Sequence, residues 1–393
     1  MNETIYMPVG EVCSSISDTY REKKNMVTLI NTSDVLEGRV LNHERVPNSN
    51  LKGQFKKTFQ RDDILYSEIR PQNRRFAYVD FSPIDYIAST KLMVIRAKKD
   101  VVSPKYLYYF LKNSSTVAEL QLLAETRSGT FPQITFSEVA NLTIPVPPLA
   151  VQEVIVQTMQ CLEDKTICNE QINDNLEQQA QSYFQELFVD NADPEWTTGT
   201  ISDLGTVVGG STPSKAKPEY YTESGIAWIT PKDLSNNKSK FVSHGENDIT
   251  ELGLRNSSAS IMPEGTVLFS SRAPIGYIAI AAGVVTTNQG FKSVVPKPEI
   301  GTPFVYFFLK NTLPVIEGMA SGSTFKEVSG STMKNVPAVI PDAETLAKFS
   351  DFCAPIFAQQ RILEEQNQSL ATLRDNLLPK LMSGEIDVSA IQL

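Results

Sequence analysis

From Ile155 to Leu187 apolar residues recur on one helical face, at Ile155, Met159, Leu162, Leu176, Ala180, Tyr183 and Leu187, with Asn173 among them. The spacing averages about 3.5 residues, the repeat of a coiled-coil seam. No Pro or Gly falls between Leu149 and Asn191, so one long helix is predicted over residues 148–190, entered from the proline-rich NLTIPVPP (Asn141 to Pro148). A shift of 194 positions, from Ile155 to Phe349, carries the seam onto Phe349, Cys353, Ile356, Leu370, Arg374, Leu377 and Leu381, and Asn173 onto Asn367. Arg374 alone breaks the apolar pattern. A second helix is predicted over 342–382, with Leu363 also on its seam and a tail to 393. Pro355 should kink it or make it start afresh, leaving Ile356 to Leu381 as the clean seam. A lone Asn on such a seam fixes register at some cost in stability.

Ahead of each helix lies a stretch with strand-like and turn-like runs, residues 1–147 and 193–341. Ile64 to Tyr66, Ala77 to Val79 and Lys91 to Arg96 are predicted strands by β-branched and aromatic content. A helix is predicted from Pro104 to Leu111, with Ser103 as its N-cap. The two stretches repeat one another: LINTSDV (Leu29 to Val35) answers to WITPKDL (Trp228 to Leu234), and DILYSEIRP (Asp63 to Pro71) to GTVLFSSRAP (Gly265 to Pro274) with one inserted residue. YYFLKNS (Tyr108 to Ser114) answers to YFFLKNT (Tyr306 to Thr312), and SGTF (Ser128 to Phe131) to SGSTF (Ser321 to Phe325). Self-similarity at this period means duplicated architecture. Residues 36–62 and 235–264 share little, as two readers of different targets would, or as surface loops drifting after an old duplication would.

Charge changes the picture by its distribution. The chain carries a net charge of -9, yet residues 148–192 hold 1 basic against 8 acidic side chains and 342–393 hold 4 against 8, while 1–147 hold 19 against 16. The acidity therefore sits on the helices, as a solvated face or as a dock for a basic partner subunit. No window approaches the length of a membrane span, and MNETIYMPVG lacks the charged and apolar regions of a secretory signal. Cys13, Cys161, Cys168 and Cys353 show no paired spacing and suit buried thiols in a reducing cytoplasm. Catalytic patterns are missing at each step. His43 and His244 have no helical metal-binding partner, no GxSxG occurs, no carboxylates cluster for two-metal cleavage, and VVGGSTPSK (Val207 to Lys215) lacks phosphate-loop spacing. The chain is expected to bind and not to react, with no metal site of its own.

Groups suited to nucleic acid are present in both stretches. Lys52, Lys56, Lys57, Arg61, Arg70, Arg74 and Arg75 crowd one segment with Phe55, Phe59 and Tyr66 interleaved; the second stretch has Lys215, Lys217, Lys232, Lys238, Lys240, Arg255 and Arg272. Such cations neutralise phosphates, and an arginine fork pairs with guanine N7 and O6. Arg70 and Arg272 occupy matched places, each after a strand-ending Ser and before a Pro.

IPVPPLAVQ, SGTFPQI, GGSTPS with WITPKDL, FSSRAPIG, TNQGF and the terminal LLPKLMSGEIDV together resemble the specificity subunit of Type I restriction-modification systems, over essentially the whole chain. The resemblance implies two tandem α/β (α+β) target-recognition domains, separated by two long helices that form an antiparallel intramolecular coiled coil with a pseudo-two-fold repeat. It implies a non-catalytic subunit that reads a bipartite double-stranded DNA target and recruits two methyltransferase subunits, with restriction subunits joining them. S-adenosylmethionine, ATP and Mg would then belong to the partners and none to this chain. Carried over by motif, the DNA-facing positions are Thr212, Pro213, Ser214 and Lys215; Ser271 and Arg272; Asn288 and Gln289; and Ser323, Thr324 and Lys326. In the first module they are Ser67 and Arg70, and Ser128, Thr130 and Gln133. GGSTPS has no counterpart there. The other reading of the same residues is a duplicated interaction module for something other than DNA, with the helices as oligomerisation rods.

A helix from Ile155 to Leu187 would run roughly 48 Å at about 1.5 Å per residue, longer than the roughly 34 Å turn of B-DNA. An antiparallel pair of such helices is expected to separate two half-sites by about a helical turn. The net negative charge implies weak DNA binding by the chain alone.

Overall fold

A computed structural model describes residues 4–22, 24–49, 53–126, 132–272, 274–322 and 326–388. The chain divides into two compact units, residues 1–166 with 369–393, and residues 167–368. The long helices are therefore not domains of their own. Each contributes one stretch to each unit, where it closes that module's core.

In the first unit, Ile5–Pro8 pairs antiparallel with Thr143–Val146, which brings the lead-in of the first long helix back to the start of the chain. A four-stranded sheet has Leu92–Ala97 between Cys13–Ile16 and Ile64–Ser67, with Phe76–Tyr78 outside the last. A second sheet sets Met26–Ile30 parallel to Tyr86–Ser89. The predicted helix is Pro104–Lys112, with Pro104 in its first turn. Ser103 stands at its N-cap without a side-chain cap; its backbone N–H instead donates to Gln152 Oε1 at 2.8 Å. Gln152 is fully buried and also donates to the carbonyls of Val101 and Pro147, at 3.1 and 2.8 Å, so it ties the module to the first long helix. Ile155, Val156 and Met159 of that helix share one core with Leu378, Leu381 and Met382 of the second.

The second unit repeats this plan. Thr197–Thr200 pairs with Pro337–Ile340, Gly205–Gly209 with Lys292–Pro296, and Ile226–Ile229 lies parallel to Thr286–Thr287. The module helix Thr302–Met319 packs on an aromatic cluster. Phe184 of the first long helix lies 5.8 Å from Phe349 and 5.9 Å from Phe307 between ring centroids, and Tyr183 lies 4.5 Å from Phe352. Phe184 is more deeply buried than the predicted seam residues Leu176, Tyr183 and Leu187, which are half-buried. The seam period drifts toward about 3.6 here because the helix meets a module as well as its partner helix.

One expectation for the helices is corrected. The second long helix runs unbroken from Ala343 to Ser383 through Pro355. Pro355 and Asp351, whose carbonyl the ring displaces, both lie on the exposed side, where water can take that carbonyl; Cys353, Ile356 and Phe357 remain buried opposite. Regular pairing therefore does not wait for Ile356, and Leu346 and Phe349 are as buried as the later residues. The repeat-related polar seam residues do not face each other. Asn367 does not meet Asn173; it accepts a 2.8 Å hydrogen bond from Asn169 Nδ2, and Asn169 is fully buried. Antiparallel pairing explains this. Two repeat-related residues can face each other only at the dyad, so the register that sets Asn169 against Asn367 puts Asn173 opposite Leu363, itself buried.

All four cysteines are free: Cys13 and Cys353 are buried, whereas Cys161 and Cys168 are exposed on the first long helix, contrary to the expectation of buried thiols. Among the described residues no helix is long and apolar enough to cross a membrane, and no group of three or more His, Cys, Asp or Glu is placed to hold a metal.

Candidate nucleic-acid interface

In the second unit the motifs singled out from the sequence meet at one end of a sheet. Strand Val267–Ser271 ends beside the turn 288–290: the Ser271 N–H and Oγ both donate to the Gly290 carbonyl, at 2.7 and 3.1 Å. Asn288 shapes that turn by accepting from the Gly290 N–H at 2.8 Å. The loop after Gly205–Gly209 is drawn in by Ser211 N–H donating to the Thr287 carbonyl at 2.9 Å. A Cβ at Gly210 would stand 2.0 Å from the Asn288 carbonyl oxygen, so this approach requires glycine. The Thr212 hydroxyl then meets the Gln289 side chain, while Tyr221 and Trp228 donate to the carbonyls of Pro213 and Ser211, at 2.6 and 3.0 Å.

Around this rim Arg272 stands 3.6 Å from the carboxylate of Glu327, and Lys292 stands 3.9 Å from it. Burial pulls the Lys292 pKa down, opposed by Glu327 and reinforced by Arg272. Ser214, Lys215, Gln289 and Lys326 are exposed. Lys232, in the first turn of the helix Pro231–Asn236, is exposed and pairs with Glu246 at 2.6 Å. Ser271 and Pro213 are buried, so they shape the rim from beneath. The rim offers an arginine fork, ammonium groups, hydroxyls and amides, the repertoire that reads base edges and phosphates. Glu327 faces the half-exposed arginine at a loose 3.6 Å, a contact open to exchange for an anionic partner.

The first unit has the same ladder. Ile134 N–H donates to the Glu68 carbonyl at 2.9 Å just as Val328 N–H does to that of Ser271. Ser67 is paired with Leu92 as Ser270 is with Phe291, and Ile69 is bridged to Gln133 as Arg272 is to Glu327. The strands thus correspond without the insertion expected from the sequence, and the counterpart of Arg272 is Ile69. Arg70 sits one place further on, exposed, with a left-handed φ of 44°, its N–H donating to the Pro132 carbonyl at 3.1 Å. The matching of Arg70 with Arg272 is corrected accordingly.

Much of the basic cluster is spent internally. Arg74 donates to the Lys112 carbonyl at 3.3 Å and pairs with Glu37 at 3.2 Å; Arg75 donates to the Ser33 carbonyl at 3.0 Å, and Lys57 to that of Leu92 at 2.8 Å. Ser67 is buried, its hydroxyl accepting from the Ile69 N–H at 3.0 Å. Lys56 and Arg70 remain on the surface, and Gln133 accepts from Lys91 at 3.4 Å. Ser128, Thr130, Ser323 and Thr324 lie outside the described residues. Sequence reasoning passed over Lys91, Lys292 and Glu327. The signal for Lys292 was its place directly after TNQGF, one strand away from Arg272.

Fold and rim together define a duplicated recognition protein, one α/β scaffold used twice with different polar side chains at the same sheet end. A family model described as the Type I restriction modification DNA specificity domain matches the chain twice, over residues 6–178 and 194–373. The chain belongs to this family of Type I restriction-modification specificity subunits. It is 29% identical to the Type I restriction enzyme HindI specificity subunit of Haemophilus influenzae over 92% of this chain and 94% of that one. It is 39% identical to the MjaIX specificity subunit of Methanocaldococcus jannaschii over 47% of this chain and 45% of the relative. A crystal structure of a Type I restriction-modification S subunit from M. genitalium shares the fold, with a TM-score of 0.54 at 17% identity over 97% of this chain and 96% of that one.

Proposed function

We propose that each module reads one half of a bipartite double-stranded DNA target, that the two long helices set the spacer, and that their acidic surface docks two methyltransferase subunits in the cytoplasm. Restriction subunits join through that complex. Methyl transfer, ATP hydrolysis and their S-adenosylmethionine, ATP and Mg belong to the partners, and this chain supplies recognition alone. One observation carries the reading: a matched hydrogen-bonding ladder presents Arg272 opposite Glu327 in one module and Ile69 opposite Gln133 in the other, with Lys292 and Lys91 beside them at places that do not correspond. A common frame with different side chains at its rim is what two half-sites of different sequence require.

The test is to co-express the chain with its genomically neighbouring methyltransferase and to map modified bases in the host genome. The expected result is one modified sequence made of two unequal halves at a fixed separation. A contiguous target, or methylation by this chain alone, would overturn the proposal.

A further inference from the structure

In each module a buried lysine meets a half-buried carboxylate of the first long helix, Glu163 in one and Glu177 in the other. In the second unit Glu177 receives Lys240 at 2.8 Å, Lys310 and the hydroxyl of Tyr306, the last at 3.1 Å. Lys240 is almost wholly enclosed. Its ammonium lies 3.5 Å from the centroid of the Phe357 ring and 4.5 Å from that of Tyr306, and it donates to Gln360 at 2.9 Å. Glu364 completes the clasp by accepting the backbone N–H groups of Lys240 and Phe241, at 2.8 and 3.0 Å. In the first unit Glu163 receives Lys112 and the hydroxyl of Tyr109, the latter at 2.8 Å, and Lys112 lies 4.9 Å from the centroids of both Tyr108 and Tyr109.

The module side of the clasp is the repeated motif: Tyr108, Tyr109 and Lys112 stand in YYFLKNS as Tyr306, Phe307 and Lys310 stand in YFFLKNT. The helix side does not follow the repeat. The shift of 194 that relates the helices carries Glu163 to Phe357, which in the second unit is the ring facing Lys240, and carries Glu177 to Ala371. A second carboxylate was thus placed where the repeat does not supply one, and a cation from the module's private segment was brought into it. Buried charges of this kind add little to stability beyond what an apolar contact would give, but removing one partner is costly, so they fix geometry more than they strengthen it.

The second clasp connects to the recognition rim through the sheet. Phe241 is opposite Ile280 and Ile280 opposite Val267, the first residue of the strand that ends at Ser271. Two strand spacings across and four residues along give a lever of roughly 16 Å, at about 4.8 Å per strand and 3.3 Å per residue. A tilt of about 12° at the clasp would carry the rim about 3.4 Å, one base-pair step.

We propose that Glu163 and Glu177 are positioning residues: each sets the tilt of its module on the helix pair, and so the separation at which its half-site is accepted, without reading any base. This rests on the modules being half-site readers. The test uses the full chain assembled with its methyltransferase, acting on a plasmid library in which the two half-sites are fixed and the spacer varies by single base pairs. Two variants are read side by side with the wild type. Glu177→Gln with Lys240→Met removes the ion pair while leaving the Glu364 contacts to the main chain and Lys310, which reaches solvent, and Lys240→Met alone keeps Glu177 paired with Lys310.

For the double variant, methylation at spacers one base pair longer or shorter should rise about tenfold relative to the native spacer, equivalent to about 1.4 kcal/mol, with both half-sites unchanged. Lys240→Met should give a smaller shift in the same direction. Spacer profiles identical to wild type in both variants, or altered bases in a half-site, would overturn the positioning role. A wild-type complex with no bipartite target would overturn the half-site reading, and the clasps with it.

Discussion

Replacing Asn173 by Leu should stabilise the second unit. The Oδ1 atom of Asn173 is buried and accepts no hydrogen bond, and the antiparallel register places the residue opposite buried Leu363. The neighbouring contact from Gln360 Nε2 goes to the Asn173 main-chain carbonyl at 3.2 Å, which a leucine retains. An unsatisfied buried carbonyl costs about 1–3 kcal/mol. Leucine has the same branching as asparagine, so it fits the space without added strain, and its apolar end contributes transfer free energy only in part, because the position is half-buried. A net gain of about 1–2 kcal/mol is expected, raising the midpoint by roughly 2–8 °C for a unit of this size. Scanning calorimetry on the full chain would resolve it as an upward shift of one transition, with Asn169→Leu as contrast. That substitution also removes an unsatisfied buried carbonyl, Asn169 Oδ1, but it takes away the donor to Asn367, so the two effects offset and no such gain is expected. An unchanged or lower midpoint for Asn173→Leu would refute the reasoning, showing that the carbonyl is not desolvated at a cost.

Three further outcomes are expected. Burial alone would raise the Glu177 pKa, but Lys240 and Lys310 overcome it and hold the carboxyl at about 2, below its ordinary 4.5. Its contribution, about 3 kcal/mol, is therefore present above pH 4.5 and lost as pH falls toward 2. Burial pulls Lys240 the other way, to about 8 against the pull of Glu177, so its charge costs stability below pH 8 and that cost lifts as pH rises toward 10.5. The two signs oppose, yet Lys240 stays charged throughout the acid range, and there the carboxylate governs. Urea midpoints measured from pH 5 to 3 should fall more steeply for the wild type than for Glu177→Gln with Lys240→Met; parallel slopes would contradict this. Arg272→Ala should weaken methylation at one half-site only, by about 1–3 kcal/mol if the fork meets a base; equal loss at both half-sites would point to phosphate contact or misfolding. Inserting whole turns into both long helices should lengthen the spacer in the modified sequence and leave the half-sites alone, and methylome sequencing that found altered half-sites with an unchanged spacer would sink the ruler.

The periodic and duplicated features were legible in the chain itself. Apolar spacing located both long helices, and recurrent motifs located both modules, because each is written in neighbouring residues. The rim was legible only as a set of residue types. Arg74, Arg75 and Lys57 look like phosphate binders in sequence, and nothing local reveals that carbonyls of Ser33, Leu92 and Lys112 wait for them across the fold. Arg374, which broke the apolar seam, is half-buried and paired with its chain neighbour Asp375 at 2.8 Å, with Glu163 and Glu37 adding to its field from across the fold.

The sequence by itself thus determined the two modules, the two helices, their shared seam and the family, since these depend on period and on motif order. Tertiary structure decided which Asn meets which, that the helix passes Pro355, that Ile69 and not Arg70 stands where Arg272 stands, and that the carboxylates meeting Lys112 and Lys240 both lie on the first helix. The physical reason is common to all four. Antiparallel pairing reverses one partner, and strand register and burial join residues far apart in the chain, so a repeat offset read along the sequence does not predict contacts made across it.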